Sequence, residues 1–537
     1  MRSATLGFLC GALFAATSVA GAQRPETPAR TDTAHADPRL VIREIRIVSL
    51  PIFDSAEATS AVYRGMNALH ITTKPYVIRQ QLLFRAGQAW DPEVIAETER
   101  NLRASGLFRS VKIDSIPSDS GLTAVVTTQD AWTLGIVFSI QSSGSQINYA
   151  IGFNARNFLG TGTQFQMQYG KNADRDSVMA MLTKNFIFGT QYWFQINYDA
   201  LSDGKNGYLN FGLPFRSMDQ HSGWNLNTNL YSGRVLLFYG GDTTAQDTLR
   251  RSWRVASVNP AISLASDESH YVRLGLFAQI QASAYQPWSA PSSEITDSVA
   301  GAFGPFLAVS YPKYEHVRYF QAGGRREDLV LGYTATLGAY LAPAQWGYSK
   351  LGVGPALNVS AGQRLGQAVV QESLSVTSLY NSAGLDSGTV YAGVTVWGQP
   401  TPTTLLIGYL GGGAQKNGYP DENWDLGLGY GVRAFAQHSF TGNRMFISAG
   451  EARWFFAPNL ARLFAVGVGV FVDHAGAWYS GEPMRTGTDA GIGLRFSSIT
   501  GNPGYVMRAD AAYRWGNDVE PSGWVFTFGK GFVWQVF

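Results

Sequence analysis

Three side chains in the last quarter of the chain have the types and spacing for buried ion-pair chemistry. Arg433 follows a glycine-rich strand end, 426–431, and lies in a long connection. Glu451 and Arg453 share parity on the segment 443–456, opposite Phe446, Ala452, Trp454 and Phe456. Asp473 falls on the small, polar face of the next segment, with Ala465, Gly467, Gly469 and Phe471. Residues two apart on a strand face the same side. Both carboxylates therefore point inward from a sheet that keeps its apolar face outside. An arginine brought between them could hold the connection by charge-assisted, forked hydrogen bonds. The same residues could equally be ordinary charge lining a polar interior.

Bond-breaking chemistry finds little support. No H-E-x-x-H, G-x-S-x-G or glycine-rich Lys-Ser/Thr phosphate loop occurs. The seven histidines are scattered, and His438 and His474, which flank the arginine connection and the aspartate strand, read as polar lumen or loop residues. The single cysteine, Cys10, lies in the N-terminal leader, so a processed chain has no thiol for redox chemistry, disulfides or Cys-based metal sites. The expectation is a protein that is not an enzyme and needs no cofactor or metal.

The elements that must position these residues are strands. From Trp132 onward, period-2 segments follow one another, separated by Gly, Asn, Asp and Ser turns. In 489–497, Ala490, Ile492, Leu494 and Phe496 oppose Asp489, Gly491, Gly493, Arg495 and Ser497. In 507–515, Met507, Ala509, Ala511, Tyr513 and Trp515 oppose Arg508, Asp510, Ala512 and Arg514. Such faces could belong to a soluble sandwich. But the segments run for about 9 to 11 residues, the length of a membrane strand, where soluble strands average about 5 to 6. Aromatics are 13% of the chain and charged residues only 15%, well below the roughly 25% of a soluble domain. A lipid-facing barrel needs an apolar outside and aromatic interfaces. The net charge of +2 offers no nucleic-acid surface. Residues 131–537 are therefore expected to form an all-β transmembrane barrel of up to 20 strands by segment count. Val468 should face lipid and Gly467 the lumen, where a serine should be tolerated.

The N-terminal quarter is different. Residues 1–22 read as a signal peptide: Arg2, an apolar run 6–19, and the small-x-small site Ala20-Gly21-Ala22 before Gln23. The run falls short of the roughly 20 residues a membrane helix needs. Residues 23–39 are polar, Pro-containing and aperiodic, a disordered leader. Residues 40–130 form one small domain of order strand, helix, helix, strand, strand. The strands are 40–48, 111–116 and 122–128. One helix spans 75–84, and Asp91-Pro92 caps another that runs to about Ala104 with Val94, Ile95, Thr98 and Leu102 on one face.

At this point the chain resembles a known family. Gly87, the capped helix from Asp91 to Leu102, Gly106-Leu107-Phe108 and Val111 resemble a POTRA (polypeptide-transport-associated) domain. Asn157-Phe158-Leu159-Gly160-Thr161-Gly162 resembles the N-x-L-G-x-G turn of the BamA/TamA superfamily of outer-membrane insertases and translocases, the bacterial surface antigens. Gly431-Val432-Arg433-Ala434-Phe435 resembles that family's V-R-G-[FY] loop, and Phe471-Val472-Asp473-His474-Ala475 its F-x-D-x-G strand. Ala434 and Ala475 stand where the family has glycine, which leaves the arginine and the carboxylates in place.

The resemblance implies a 16-stranded barrel in the cell outer membrane with one α+β POTRA domain in the periplasm. It implies a loop lock in which Arg433 sits against Glu451 and Asp473. It implies partners that are the lipid bilayer, unfolded polypeptide clients and other assembly-machinery proteins, with no nucleic acid. The function implied is assistance in inserting β-barrel proteins into the outer membrane, or in translocating polypeptide across it. The alternatives are a two-partner secretion transporter, a passive channel and, less favoured, a barrel enzyme. Phe537, ending an aromatic strand, resembles the signal by which barrels are recognised for assembly; removal of the final three residues should abolish membrane assembly.

Overall fold

In the computed structural model the described residues are 41–530, apart from 54–57, 59, 120, 218–219, 268, 290–297, 319–325, 429, 461–463, 499–505 and 517–518. The signal-peptide residues Ala20 and Ala22, the leader and Phe537 lie outside them.

The first unit is a three-stranded sheet of order β1 (Ile42–Leu50), β3 (Gly121–Asp130), β2 (Phe108–Ser118), with β1 parallel and β2 antiparallel to the central β3. Three helices accompany it: α1 (Ala61–Leu69), α2 (Pro75–Arg79) and α3 (Pro92–Ala104). Asp91 caps α3 by accepting from the N–H groups of Glu93 at 2.9 Å and Val94 at 3.5 Å. Ile95, Thr98 and Leu102 are buried on its inner face. Ile95 and Leu102 pack with Ile42, Val77, Ile78, Phe84, Phe108, Ile113 and Val126 in one core.

Helix α1 is absent from the sequence reading, and its chemistry explains why. Its apolar stripe is confined to nine residues that include the weak helix formers Gly65 and Asn67, and none of its described side chains is fully buried. It is fixed instead by polar detail. The Ser60 hydroxyl accepts from Tyr63 N–H, and the Asn67 amide donates to Phe53 O at 2.7 Å and accepts from its N–H at 3.1 Å. Helix α2 is also shorter than expected, ending at Arg79 rather than Phe84.

The second unit is a closed antiparallel barrel of 20 strands. The six that follow the first unit are β4 (Leu134–Ser143), β5 (Gln146–Phe158), β6 (Thr163–Lys171), β7 (Asp176–Asn185), β8 (Trp193–Leu201) and β9 (Gly204–Leu213). Then come β10 (Ser222–Leu237), β11 (Asp247–Ser266), β12 (Tyr271–Pro287), β13 (Ser298–Arg318), β14 (Arg326–Ala342), β15 (Gly352–Leu365), β16 (Ala368–Asn381), β17 (Gly384–Thr401) and β18 (Thr404–Lys416). A short hairpin, β19 (Trp424–Leu426) with β20 (Phe440–Gly442), stands apart from the barrel wall. The wall resumes with β21 (Arg444–Leu460), β22 (Phe464–Trp478), β23 (Gly487–Ser498), β24 (Met507–Gly516) and β25 (Gly523–Lys530), which closes on β4.

Twenty strands is the upper end of the segment count and corrects the 16 that the resemblance implies. The long segments between β9 and β18 are wall strands, not hairpins standing free above a smaller barrel. Many exceed the roughly 9 to 11 residues that cross a bilayer: β11 has 20 and β13 has 21. That side of the wall must project beyond the lipid. Among the described residues β25 and β4 share only the pairs Thr527↔Ser143 and Phe528↔Ser142.

Alternation holds as the sequence requires. On β22 the odd-numbered residues Ala465 to Asp473 are buried, whereas Val470 and Val472 on the other face are exposed. On β25 Trp524 and Phe526 are 71% and 70% exposed. A sheet that closes on itself and exposes such residues at every second position has its apolar solvent outside, which makes the barrel transmembrane. Among the described residues no helix is long and apolar enough to cross a membrane. Val468→Arg near the midplane should cost roughly 2 to 4 kcal/mol, and Val468→Asp less; folding titrations into lipid vesicles would measure both. Equal tolerance of Arg and Ser at this site would mean that the strand faces water. The expected tolerance of serine at Gly467 is corrected: a Cβ there would stand 2.5 Å from Trp454 O and 3.0 Å from the Phe455 Cα. The neighbouring strand comes too close for any side chain.

Candidate functional site

The connection 417–443 between β18 and β21 carries the β19–β20 hairpin, and its tip folds back into the barrel. The reversal uses left-handed backbone at Gly427 (φ 132°), Gly431 (φ 92°) and His438 (φ 70°). At Gly431 a side chain would be strained by the φ value and crowded by the Ala475 methyl, 3.2 Å from where a Cβ would sit. Ala475 thus fills space against the loop. Ala434 is not among the left-handed residues. Its N–H donates to Asp489 Oδ2 at 2.9 Å, and its methyl packs with Phe471, Ala512 and Val525.

The structure brings Arg433, Glu451 and Asp473 together. Arg433 Nε donates to Asp473 Oδ2 at 2.5 Å, and Nη2 donates to Asp473 Oδ1 at 3.0 Å. Nη1 donates to Glu451 Oε2 at 3.0 Å. The guanidinium lies 3.7 Å from the centroid of the Phe471 ring. All three ionic side chains are buried. The fork on Asp473 is a geometry that a lysine cannot reproduce.

The site is larger than these three residues. Glu451 Oε1 also accepts from Arg453 Nε and Arg495 Nε, each at 2.7 Å. Arg495 Nη1 donates to Asp510 Oδ1 at 2.6 Å, and Arg508 Nη1 donates to Asp510 Oδ2 at 2.7 Å. Arg508 Nη1 also reaches Thr527 Oγ1 at 2.6 Å. Asp473 and Asp489 are register partners on β22 and β23. Four arginines and four carboxylates therefore form one buried, charge-balanced network across β21 to β24, ending at Thr527 on the closing strand. Buried charges persist only when paired in this way. Glycines make the room. A Cβ on Gly469 would stand 2.8 Å from the Arg495 guanidinium, and one on Gly493 would overlap the Asp510 carboxylate.

Sequence reasoning missed Asp489, Arg453, Arg495, Arg508 and Asp510 as members. Their inward parity was visible, but which charge meets which depends on strand register.

The rest of the loop is tied across the lumen. Asp421 pairs with Arg251 on β11 and accepts from Tyr285 Oη on β12 at 2.7 Å. Gln437 N–H donates to Gln146 Oε1 at 2.6 Å, and Ala436 N–H to Glu520 Oε1 at 2.8 Å. His438 lies between Asp425, at 2.6 Å from Nδ1, and Asp174, at 3.0 Å from Nε2, and it stacks on Phe238 at 3.6 Å. His474 instead faces Thr488 Oγ1 at 2.8 Å. Among the described residues no group of His, Cys, Asp and Glu side chains is arranged to hold a metal ion.

His438 belongs to the loop, not to a spanning strand. Burial opposes its charge, but the hydrogen bonds and charges of Asp174 and Asp425 outweigh that and raise its pKa to about 9. A group whose folded pKa exceeds its unfolded value of about 6.5 stabilises fully below the latter and loses that contribution as pH rises through the former. Loop docking should therefore hold at pH 7 and loosen as pH passes about 9. A spin label on Asn423→Cys should gain mobility over that window, and His438→Gln should remove the pH dependence. An identical transition in the His438→Gln protein would assign it to another group.

No family model and no curated protein matches the chain. Among solved structures it is similar to BamA from Haemophilus ducreyi lacking POTRA domains 1–3, at 14% identity over 91% of this chain and 84% of that one, with a TM-score of 0.41. It is similar to CdiB from Acinetobacter baumannii at 12% identity over 91% of this chain and 74% of that one, with a TM-score of 0.47. CdiB from Escherichia coli matches at 11% identity over 92% and 77%, with a TM-score of 0.47. With identity and superposition this low, it is the chain's own residues that speak to its role.

Proposed function

We propose that this chain is an outer-membrane protein that assists insertion of β-barrel proteins into, or translocation of polypeptide across, the outer membrane. Residues 40–130 act in this reading as a POTRA domain on the periplasmic side. The observation that carries it is the Arg433 loop, whose motif arginine is held inside the barrel by Glu451 and Asp473. The network beyond it runs to Thr527, which pairs with Ser143 of β4 where the barrel closes. Loop position and seam stability are thereby wired together through paired charges. A client strand would pair first with an exposed edge of the β1–β3–β2 sheet, where unpaired backbone groups offer hydrogen bonds. It would then reach the seam between β25 and β4, where the last wall strand meets the first. A loop tied across the lumen at Asp421, His438 and Arg433 suits this better than passive diffusion.

Photo-crosslinking in cells from positions within 42–130 tests the proposal. Capture of several unfolded barrel precursors is the expected result. Capture of one secreted protein alone would move the reading to a two-partner secretion transporter. Capture of no polypeptide, together with steady conductance of the purified barrel, would leave a channel.

A further inference from the structure

The apolar outer surface of the barrel does not stop at the rim beside the N-terminal domain. There β5 ends on the exposed Phe158, whose ring packs on Phe165 at 6.1 Å, and Phe165 packs in turn on the exposed Phe153 at 5.4 Å. Leu159 follows, exposed, at φ 54°. In the β7–β8 turn Phe188 is 100% exposed and held at φ 51°. A bulky residue in left-handed backbone is an outlier that costs free energy. In water nothing offsets that cost for a fully exposed phenyl ring; in a lipid interface its burial does.

Helix α2 lies against these two turns. A Cβ on Gly160 would stand 2.6 Å from Thr72 O and 3.2 Å from Ile71 Cγ2, and one on Gly189 would stand 3.8 Å from Gln80 Nε2. The exposed side of this region presents Leu69 at 75%, Ile71 at 50% and Tyr76, flanked by the exposed cations Lys74 and Arg79. Apolar side chains, an amphipathic tyrosine and lysine or arginine beside them make up a segment that lies in the headgroup layer.

The domain is also clamped in this pose. Lys74 N–H donates to Gly160 O at 3.0 Å. Asn157 reads both sides: its Oδ1 accepts from Gly162 N–H at 2.7 Å and its Nδ2 donates to Thr73 Oγ1 at 2.7 Å. Thr73 N–H and Oγ1 both donate to Asp130 Oδ2, at 2.7 and 3.0 Å. Thr73, Asn157 and Asp130 are all buried. This assigns a task to the Asn157–Gly162 turn, which the lumen site does not use.

We propose that the N-terminal domain is seated on the bilayer itself, with Leu69, Ile71, Tyr76 and Phe188 in the headgroup layer and the Asn157–Thr73–Asp130 relay as its latch. The domain is then a fixed ramp beside the β5–β8 wall and not a freely swinging arm. The proposal rests on the barrel being in lipid. Cys10 is the only cysteine in the chain and lies in the leader, so single cysteines can be labelled cleanly in a processed protein. The protein carrying Ile71→Cys or Tyr76→Cys would be labelled with an environment-sensitive dye. It would then be reconstituted in phosphatidylethanolamine–phosphatidylglycerol vesicles containing nitroxide lipids. Val470→Cys on the outer face of β22 is the control for the barrel. Ile116→Cys, equally apolar and exposed but at the far end of β2, is the control for the dye.

Quenching at positions 71 and 76 several-fold above that at 116 is the expected result. Quenching no greater than at 116, with Val470→Cys quenched, overturns the seating alone. Absence of quenching at Val470→Cys overturns the lipid-embedded barrel and the seating with it. Thr73→Val should abolish the signal at 71 and 76 while sparing 470, and Thr73→Ser should restore it. A signal unmoved by Thr73→Val would remove the latch from the proposal.

Discussion

Arg433→Ala should abolish activity while leaving the barrel assembled. Glu451 keeps Arg453 and Arg495 as partners, so its own charge stays compensated. The register partners Asp473 and Asp489 are left with neither the guanidinium nor the docked Ala434 N–H. Removing one member of a buried ion pair costs about 3 to 5 kcal/mol, because the other charge stays behind unpaired. Since about 1.4 kcal/mol is a factor of ten, the docked loop should become a minor state. Arg433→Lys should rescue in part only, since an ammonium cannot make the fork on Asp473. Adding Asp473→Asn to Arg433→Ala should recover barrel stability without recovering activity. Client crosslinking is the readout, with barrel level held constant by its heat-modifiable mobility. A double-mutant cycle in which Arg433→Ala and Asp473→Ala add independently would show that the pair is not a lock.

Asp510→Ala should act on assembly instead. Its carboxylate is the shared acceptor of Arg495 and Arg508, both buried. Arg495 retains Glu451, but Arg508 keeps only a neutral hydroxyl, Thr527 Oγ1, among its hydrogen-bond partners at this site. An uncompensated buried cation again carries a cost of about 3 to 5 kcal/mol, here within the wall and next to the seam. The folded, heat-modifiable fraction should fall sharply, less so for Asp510→Asn. Asp510→Ala with Arg508→Met should recover much of the loss, since removing both charges leaves none to solvate. Normal folding of Asp510→Ala would mean that lumen water solvates Arg508 and that the network is not a structural one.

The two variants separate the roles of one network. Position 433 reports on the loop, and position 510 on the wall that the loop holds.

Sequence alone determined what depends on local repetition. Strand alternation is set by a period of two residues, so the outward faces of β22 to β25 and the inward parity of Glu451, Asp473, Asp489, Arg495, Arg508 and Asp510 can all be read from a single chain. The same holds for helix α3, whose Asp-Pro start and apolar face are local signals. The number of strands was only bracketed, because a long wall strand and a hairpin extension have the same alternation; closure, a global property, decided for 20. Helix α1 went unread because its apolar stripe spans only nine residues, with Gly65 and Asn67 weakening its helix propensity. Register decided the rest. Whether Arg495 meets Asp510, or whether Asp473 stands opposite Asp489, changes with a slip of one residue between strands that no single strand encodes. Likewise Gly467 looks like free lumen space in sequence, and only the approach of Trp454 and Phe455 on the neighbouring strand shows that there is none. Parity belongs to the strand, but partnership belongs to the sheet, because hydrogen-bond register is fixed between segments that are distant in sequence.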